Sequence, residues 1–318
     1  MTYVLLLIGF ALLVKGADYF VDGASKIATG LRVSPMLIGL TIVAFGTSAP
    51  EASVSFIAAF EGTSDVAIGN IVGSNIFNAT FILGVTAIVF PLAVQSDTLR
   101  KEIPFALLAA ITVLILISDI QLQYSEVNII TRTEGILLLL FFAIFLYYVF
   151  EMARNNRDQI ENTPTDTVST SWGKNLAFTI GGLVGIVFGG NLVVENSIEI
   201  ALALGMSETL VGLTIVAVGT SLPELVTSIT AALKRQTEIA LGNIIGSNIF
   251  NVFFILGASA TIHPLAVDQK IFLDVWLMIF VTALLLILSR TQYRISKIEG
   301  AGLAMIYVIY LIFIILRN

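Results

Sequence analysis

Residues 39–78, GLTIVAFGTSAPEASVSFIAAFEGTSDVAIGNIVGSNIFN, recur further along the chain as residues 212–251, GLTIVAVGTSLPELVTSITAALKRQTEIALGNIIGSNIFN. Without a gap and at an offset of 173, 24 of the 40 aligned positions are identical. The same offset relates PLAV at 91–94 to PLAV at 264–267. Self-similarity over this length predicts that the chain contains one structural unit twice.

The composition predicts that both units lie in a membrane. Of the 318 residues, 57% are hydrophobic and only 12% are charged, whereas ordinary soluble domains have about 25% charged residues. The chain has no cysteine and one histidine, which excludes disulfides, thiolate metal sites and histidine-rich metal sites. A net charge of −6 argues against nucleic acid as a partner. The expected partner is the lipid bilayer.

Ten apolar stretches are long enough to be transmembrane helices, five in each unit. A helix needs about 20 mostly apolar residues to cross a bilayer. The first stretch lacks the features of a cleavable signal peptide, so we expect it to be a span. The predicted spans are 3–25, 35–60, 66–92, 103–118, 134–152, 175–203, 208–232, 239–262, 271–289 and 299–316.

An odd number of spans in each unit has a topological consequence. If the first unit enters the membrane from one side, the second must enter from the other side, so the two units are inverted repeats. The sequence therefore predicts an all-α integral membrane protein of ten transmembrane helices in two inverted five-helix repeats. The predicted boundaries are residues 1–152 for the first repeat, 153–174 for a polar linker and 175–318 for the second repeat.

The basic residues give the orientation. Twelve Lys and Arg residues fall in connections after odd-numbered spans, and three fall on the opposite side. Because Lys and Arg collect on the cytoplasmic side of short loops, we predict a multi-pass protein of the plasma or inner membrane. Its linker 153–174 would be cytoplasmic and both termini extracellular. The chain is expected to function as a monomer.

The repeated motifs GTSAPE (46–51) and GTSLPE (219–224) interrupt predicted membrane helices. Proline has no N–H group, and its ring clashes with the carbonyl four residues before it, so Pro50 and Pro223 predict breaks. We expect main-chain oxygens around Ala44–Thr47 to be freed there. In lipid such oxygens are tolerated only where they line a cavity or meet a ligand. Helical spacing places Glu51 on the same face as Thr47 and Ser48; Glu224, Thr220 and Ser221 repeat this pattern.

The motif GSNIFN supplies a second set of polar groups on neighbouring helices. Asn70, Ser74 and Asn78 are four residues apart and form one stripe, which Asn243, Ser247 and Asn251 repeat. Asn70 and Asn243 are expected to make helix–helix hydrogen bonds, with a ligand role as the alternative. The pooled carboxylate, hydroxyl and amide oxygens are hard donors that suit Ca²⁺, Na⁺ or Mg²⁺.

Electrostatics predicts that the two glutamates hold cations. Each acidic residue at a membrane helix centre costs about 2.5–3.5 kcal/mol. Two carboxylates about 5 Å apart repel by roughly 3 kcal/mol at an effective dielectric constant of about 20. Since the doubly ionised site is unfavourable without cations, one cation is expected to leave only as others replace it. That behaviour is exchange, with transported ions and no cofactor.

At these residues the chain resembles the cation/calcium exchanger superfamily, in particular its prokaryotic sodium/calcium exchanger branch. The resemblance covers both motif pairs and implies electrogenic Na⁺/Ca²⁺ antiport by alternating access. It implies that Glu51 and Glu224 coordinate Ca²⁺ together with main-chain oxygens of Thr47 and Thr220. The implied sodium ligands are the same glutamates with further oxygens from Ser48, Ser221, Ser74, Ser247 and the carbonyls of Ala44 and Ala217, and Asn78 and Asn251 complete the centre.

Differences from relatives narrow the expected ions. Proton/calcium relatives carry an additional glutamate in the motifs of the third and eighth helices, which this chain lacks. Potassium-dependent relatives carry aspartate where this chain has Asn251, so exchange without K⁺ is expected. H⁺/Ca²⁺ antiport remains the alternative, in which protonation of the glutamates would release Ca²⁺.

A hydrolase is the remote alternative. An intramembrane enzyme would use Ser48 or Ser221 as its nucleophile, which needs a positioned general base. The single histidine, His263, is not near either motif in the sequence. We therefore expect a transporter and not an enzyme.

Overall fold

The computed structural model describes residues 1–122, 124–161, 171–206 and 217–317. These residues form an all-α membrane protein with two very short two-stranded sheets at its surface. The long helices are α1 Thr2–Leu31, α2 Pro35–Thr47, α3 Ala49–Phe60, α4 Ser64–Val89, α5 Ile103–Leu116, α6 Arg132–Glu161, α7 Trp172–Ala203, α8 Leu222–Leu233, α9 Thr237–Ile262, α10 Ile271–Gln292 and α11 Lys297–Arg317. The strands are β1 Leu92–Ala93, β2 Ile129–Ile130, β3 Leu265–Ala266 and β4 Arg294–Ile295.

Most of the predicted spans are present as long apolar helices. Among the described residues, seven helices are long and apolar enough to cross a membrane, and α2 with α3 forms an eighth, bent span. Helix α5, in the predicted span 103–118, has only 14 regular residues and follows a π-helical turn at Thr98–Glu102. Most of the first half of the predicted span 208–232 lies outside the described residues. The count of ten spans stays a prediction.

The predicted break at Pro50 is confirmed. Helices α2 and α3 meet at Ser48 with a bend of 49°, and Pro50 lies in the first turn of α3. Proline is tolerated there because the first N–H groups of a helix have no partner within that helix. In the second repeat, Ser221 is the N-cap of α8 and Pro223 lies in its first turn.

Strands and helices of each repeat pack against those of the other repeat. Strand β1, from the first PLAV motif, pairs with β4, and β3, from the second PLAV motif, pairs with β2. Helices α4 and α11 come so close that a Cβ built at Gly84 would lie 2.5 Å from the carbonyl oxygen of Gly300. Equivalently, a Cβ at Gly135 of α6 would lie 2.6 Å from the carbonyl oxygen of Gly257 of α9. Each repeat therefore packs its last helix on the helix of the third predicted span of the other repeat, α4 or α9.

Helices α1 and α7 pack antiparallel through glycine. A Cβ built at Gly16 would lie 2.8 Å from the carbonyl oxygen of Gly182, and one at Gly189 would lie 2.8 Å from that of Gly9. Small residues let two helix backbones approach closely, which favours association in lipid through van der Waals contact. Shortly after Gly16 on α1, Asp18 and Asp22 form ion pairs with Lys234, at 2.7 and 2.6 Å, which connects α1 to the end of α8.

We predict that Gly182→Ala lowers the unfolding temperature of the purified protein in detergent, because the new Cβ would lie 2.5 Å from the backbone nitrogen of Phe20. The matched control is Gly181→Ala on the same helix, where no described atom lies within 4 Å of a Cβ. Alanine has a higher helix propensity than glycine by about 1 kcal/mol, so the control should be neutral or stabilising. Equal unfolding temperatures for the two variants would contradict the proposed packing.

Candidate functional site

The two glutamates of the repeated motif occupy equivalent positions. Glu51 lies in the first turn of α3 and Glu224 in the first turn of α8, and both side chains are fully buried. The N-terminus of a helix carries a partial positive charge and favours a carboxylate by about 0.3–1 kcal/mol. The proline that ends the preceding helical segment thus also creates a helix start that stabilises the glutamate following it.

Hydrogen bonds cross between the repeats at these carboxylates. The Ser221 hydroxyl donates to Oε1 of Glu51 at 2.7 Å, and the Ser48 hydroxyl donates to Oε1 of Glu224 at 2.8 Å. Both serines are fully buried. The reciprocal pair brings together the two GTSxPE motifs, which lie 173 residues apart in the sequence. The two motifs therefore meet at these carboxylates.

Helices α4 and α9 add hydroxyl groups to the two carboxylates. Ser74 donates to Oε1 of Glu51 at 3.3 Å and lies 3.0 Å from the Ser221 hydroxyl. In the other repeat, Ser247 lies beside the Glu224 carboxylate, and Thr47 of α2 approaches the same carboxylate from the first repeat. The polar stripe predicted on each of these helices therefore faces the glutamates.

Besides the hydroxyls of Ser247 and Thr220, four carboxylate and amide oxygen atoms at this centre have no hydrogen-bond partner among the described residues. They are Oε2 of Glu51, Oε2 of Glu224, Oδ1 of Asn78 and Oδ1 of Asn251. All four residues are fully buried, and buried polar atoms normally have a partner. Carboxylate and amide oxygens are hard ligands of the kind that Na⁺ and Ca²⁺ take. Each of the two glutamates and two asparagines thus offers one oxygen with available lone pairs, which suits the binding of cations.

The asparagine amide groups fix these oxygens in place. Asn78 donates to the side-chain oxygen of Asn248 at 3.1 Å, and Asn251 donates to the side-chain oxygen of Asn75 at 3.1 Å. Asn75 and Asn248 also donate to each other's backbone carbonyl, at 3.1 and 3.4 Å. The sequence reasoning missed the first asparagine of each GSNIFN motif, Asn75 and Asn248, although its presence in both repeats was a usable signal.

A π-helical turn follows each motif. Asn78 begins the π turn Asn78–Ile82 within α4, and Asn251 begins the π turn Asn251–Leu256 within α9. Such turns are rare and occur frequently at functional sites. No feature of the sequence predicted them.

Asn70 and Asn243 act as predicted, by bonding neighbouring helices. Asn70 donates to the Ser55 hydroxyl at 2.9 Å and to the carbonyl oxygen of Glu51 at 3.1 Å. Asn243 donates in the same way to Ser228 and to the carbonyl oxygen of Glu224. These bonds hold the helix turn that carries each glutamate.

The expected release of main-chain oxygens is wrong for Ala44. Its carbonyl oxygen accepts the N–H of Ser48 at 3.0 Å and the hydroxyl of Thr47 at 3.3 Å. The reason is that the helix continues through Thr47 and bends only at Ser48. In the second repeat Ala217 begins a short helical turn, Ala217–Gly219, and the Thr220 hydroxyl has no hydrogen-bond partner among the described residues.

A cavity of about 540 Å³ reaches the site from one end of the molecule. Its inner wall includes Ser74, Asn70 and Thr220, and its outer part includes acidic and basic residues. At the outer part Arg317 forms a two-pronged ion pair with Asp274, at 3.1 and 3.0 Å. The site is therefore buried among protein atoms but adjoins an open path.

The architecture and this centre together define a multi-pass membrane transporter for cations, since charged groups at the membrane interior mark ion pathways. The family model described as "Sodium/calcium exchanger protein" matches residues 1–151 and 174–316. This chain belongs to the sodium/calcium exchanger protein family. It is a cation/Ca²⁺ exchanger and not an enzyme.

Individual relatives extend over nearly the whole chain. The sodium/calcium exchanger MaX1 of Methanosarcina acetivorans is 36% identical over 98% of this chain and 97% of its own length. The inner membrane protein YrbG of Escherichia coli is 35% identical over 95% of this chain and 92% of its own length. A solved structure of the sodium-calcium exchanger NCX_Mj has a TM-score of 0.83 at 30% identity, covering 97% of this chain and 98% of that one.

We predict that Asn243→Ala lowers the free energy of unfolding by about 1–3 kcal/mol, because it leaves a buried hydroxyl without its partner. Asn243 is fully buried and also accepts the Thr47 hydroxyl at 3.0 Å. The matched control is Asn70→Ala, since Asn70 makes the equivalent bonds but is partly exposed. Denaturation in detergent followed by circular dichroism compares the two, and a larger loss for Asn70→Ala would contradict the assignment.

Proposed function

We propose that this chain is a secondary active antiporter that exchanges Na⁺ for Ca²⁺ by alternating access. The observation that carries the proposal is the buried pair Glu51 and Glu224, each with one carboxylate oxygen that has no hydrogen-bond partner among the described residues. Within the described part of the chain neither glutamate forms an ion pair with Lys, Arg or His. Bound metal ions would supply the missing positive charge.

The donor set supports exchange between one divalent and several monovalent ions. One Ca²⁺ between Glu51 and Glu224 cancels both carboxylate charges. Na⁺ ions at the same carboxylates would use neutral oxygens to complete their coordination. The candidate donors for both ions are Glu51, Glu224, Thr47, Thr220, Ser48, Ser221, Ser74, Ser247, Asn78, Asn251 and Ala217. Ala44 is left out because its carbonyl oxygen already accepts two hydrogen bonds. Both Asn78 and Asn251 are neutral, which supports exchange without K⁺, and a third Na⁺ would make the exchange electrogenic.

The proposed architecture is that of two inverted five-helix repeats, residues 1–152 and 175–318, joined by a cytoplasmic linker at 153–174. The cross-repeat hydrogen bonds and strand pairs support this division, because each contact has an equivalent at the corresponding positions of the other repeat. Both termini would face the outside of the cell, and one chain would suffice for transport.

Transport in liposomes tests the ions. Protein reconstituted in Na⁺-loaded liposomes should take up ⁴⁵Ca²⁺ when the sodium gradient is directed outward. Uptake should need no K⁺, and an inside-positive membrane potential should accelerate it if more than two Na⁺ leave for each Ca²⁺, because net positive charge then leaves the liposome. Uptake driven by a pH gradient in the absence of sodium would instead favour H⁺/Ca²⁺ antiport. Uptake that is indifferent to the sodium gradient would refute the proposal.

We predict that Glu51→Gln and Glu224→Gln each reduce Ca²⁺ uptake by at least about tenfold, the lower limit for altering groups that support a metal site. The folded state should persist, because glutamine retains the oxygen that accepts the serine hydroxyl. The matched control is Glu126→Gln in an exposed loop, which should transport as the unaltered protein does. Full transport by either site variant would show that the pair does not hold Ca²⁺.

We predict that Ser74→Ala weakens Na⁺ binding more than Ca²⁺ binding. Several Na⁺ ions would share the two carboxylates, so each would depend more on neutral oxygens than a single Ca²⁺ does. The measurement determines the concentrations of Na⁺ and of Ca²⁺ that give half-maximal exchange, in the variant and in the unaltered protein. An equal shift in both would contradict separate sodium ligands.

Orientation is testable without background labelling, since the chain contains no cysteine. Single substitutions Asn155→Cys and Glu126→Cys place a thiol at exposed positions near the two predicted membrane faces. In intact cells a membrane-impermeant maleimide should label the second and not the first. The reverse pattern would invert the proposed topology.

A further inference from the structure

A second cavity, of about 660 Å³, lies between the start of α5 and the far end of the apolar part of α6. On α5 the charged residues lie just before the apolar run, and on α6 they lie just after it. The cavity therefore lies at a boundary between the membrane interior and water. Its walls are formed by Asp97, Arg100, Lys101, Pro104, Phe105, Leu108, Tyr148, Glu151, Met152 and Asn155. It is separate from the site of the two buried glutamates, and the proposed exchange does not use it.

The polar part of this cavity carries balanced charges. Arg100 and Lys101 supply two positive charges, and Asp97 and Glu151 supply two negative charges. Lys101 lies 3.4 Å from Asp97 and 5.8 Å from the centre of the Tyr148 ring. Among the described residues, no salt bridge pairs Arg100 or Glu151 with another group of the protein. One cation and one anion of the protein are therefore available to a ligand.

The other part of the cavity is apolar and faces lipid. Leu108 is 45% exposed, and Phe105 stacks on Tyr148 with ring centres 5.5 Å apart. The hydroxyl of Tyr148 donates to the buried carboxylate of Glu102, which fixes the ring as part of the wall. An acyl chain against Phe105 and Leu108 would continue directly into the bilayer.

We propose that this cavity binds a phospholipid with a zwitterionic headgroup that carries a primary ammonium group. The lipid phosphate would contact Arg100, and the ammonium group would donate hydrogen bonds to Glu151. An anionic headgroup without an amine would leave Glu151 facing negative charge. A quaternary ammonium has no N–H to donate, so it would bind Glu151 less well.

Lipid titration by native mass spectrometry tests this proposal. Delipidated full-length protein in detergent is titrated separately with dioleoyl phosphatidylethanolamine, dioleoyl phosphatidylcholine and dioleoyl phosphatidylglycerol. Phosphatidylethanolamine should bind about two- to fivefold more tightly than either other lipid, the range expected of one part-exposed charge pair. Equal binding of all three, or tighter binding of phosphatidylglycerol, would overturn the proposal.

Substitutions separate the two halves of the headgroup. Glu151→Gln should remove the preference for phosphatidylethanolamine over phosphatidylcholine, by weakening phosphatidylethanolamine binding more than phosphatidylcholine binding. Arg100→Gln should weaken the binding of all three lipids, because each carries a phosphate. The matched controls are Glu126→Gln and Arg290→Gln, exposed positions outside the cavity, which should leave all three affinities unchanged. Retention of the lipid preference in Glu151→Gln would show that the carboxylate does not recognise the amine.

Discussion

Two carboxylates, Glu51 and Glu224, lie fully buried within a protein made mainly of apolar helices. At an effective dielectric constant of about 20, two such charges about 5 Å apart repel by roughly 3 kcal/mol. The partial positive charge at the N-terminus of each glutamate's helix offsets about 0.3–1 kcal/mol of this repulsion. Because the protein's own dipoles compensate only part of the repulsion, positive charge must come from outside the protein. The same helix breaks that position the glutamates therefore favour the binding of positive charge at this centre, which is the basis of the proposed exchange.

The local features of the site could be predicted from the sequence, because each is determined by residues close together in the chain. Pro50 prevents regular helical hydrogen bonding at a known distance, and the bend occurs at Ser48. Asn70 and Asn243 lie in the same helical register, and they make equivalent hydrogen bonds. The repeat itself indicated which residues would be equivalent.

The features that depend on packing could not be predicted. Asn75 lies one position after Ser74, about 100° around the helix, and so falls outside the predicted polar stripe. Its hydrogen-bond partner, Asn248, belongs to the other repeat. The carbonyl of Ala44 stays hydrogen-bonded because the helix extends one turn further towards Ser48 than a simple proline break suggests. The cross-repeat bonds of Ser48 and Ser221 require knowing how the repeats face each other. The number of spans and the ligand set remain predictions.

Equivalent residues of the two repeats have different surroundings. A Cβ at Gly242 or Gly246 would meet the backbone of α2 within 3 Å, whereas no described atom lies within 4 Å of one at Gly69 or Gly73. Ser247 and Thr47 are fully buried, while their equivalents Ser74 and Thr220 line the 540 Å³ cavity. Within the described part of the chain, Ser74 and Thr220 thus border the cavity, while Ser247 and Thr47 lie in closed contacts. If the repeats are inverted as proposed, exchanging these surroundings between them would move the opening to the opposite membrane face with little change in the ion ligands.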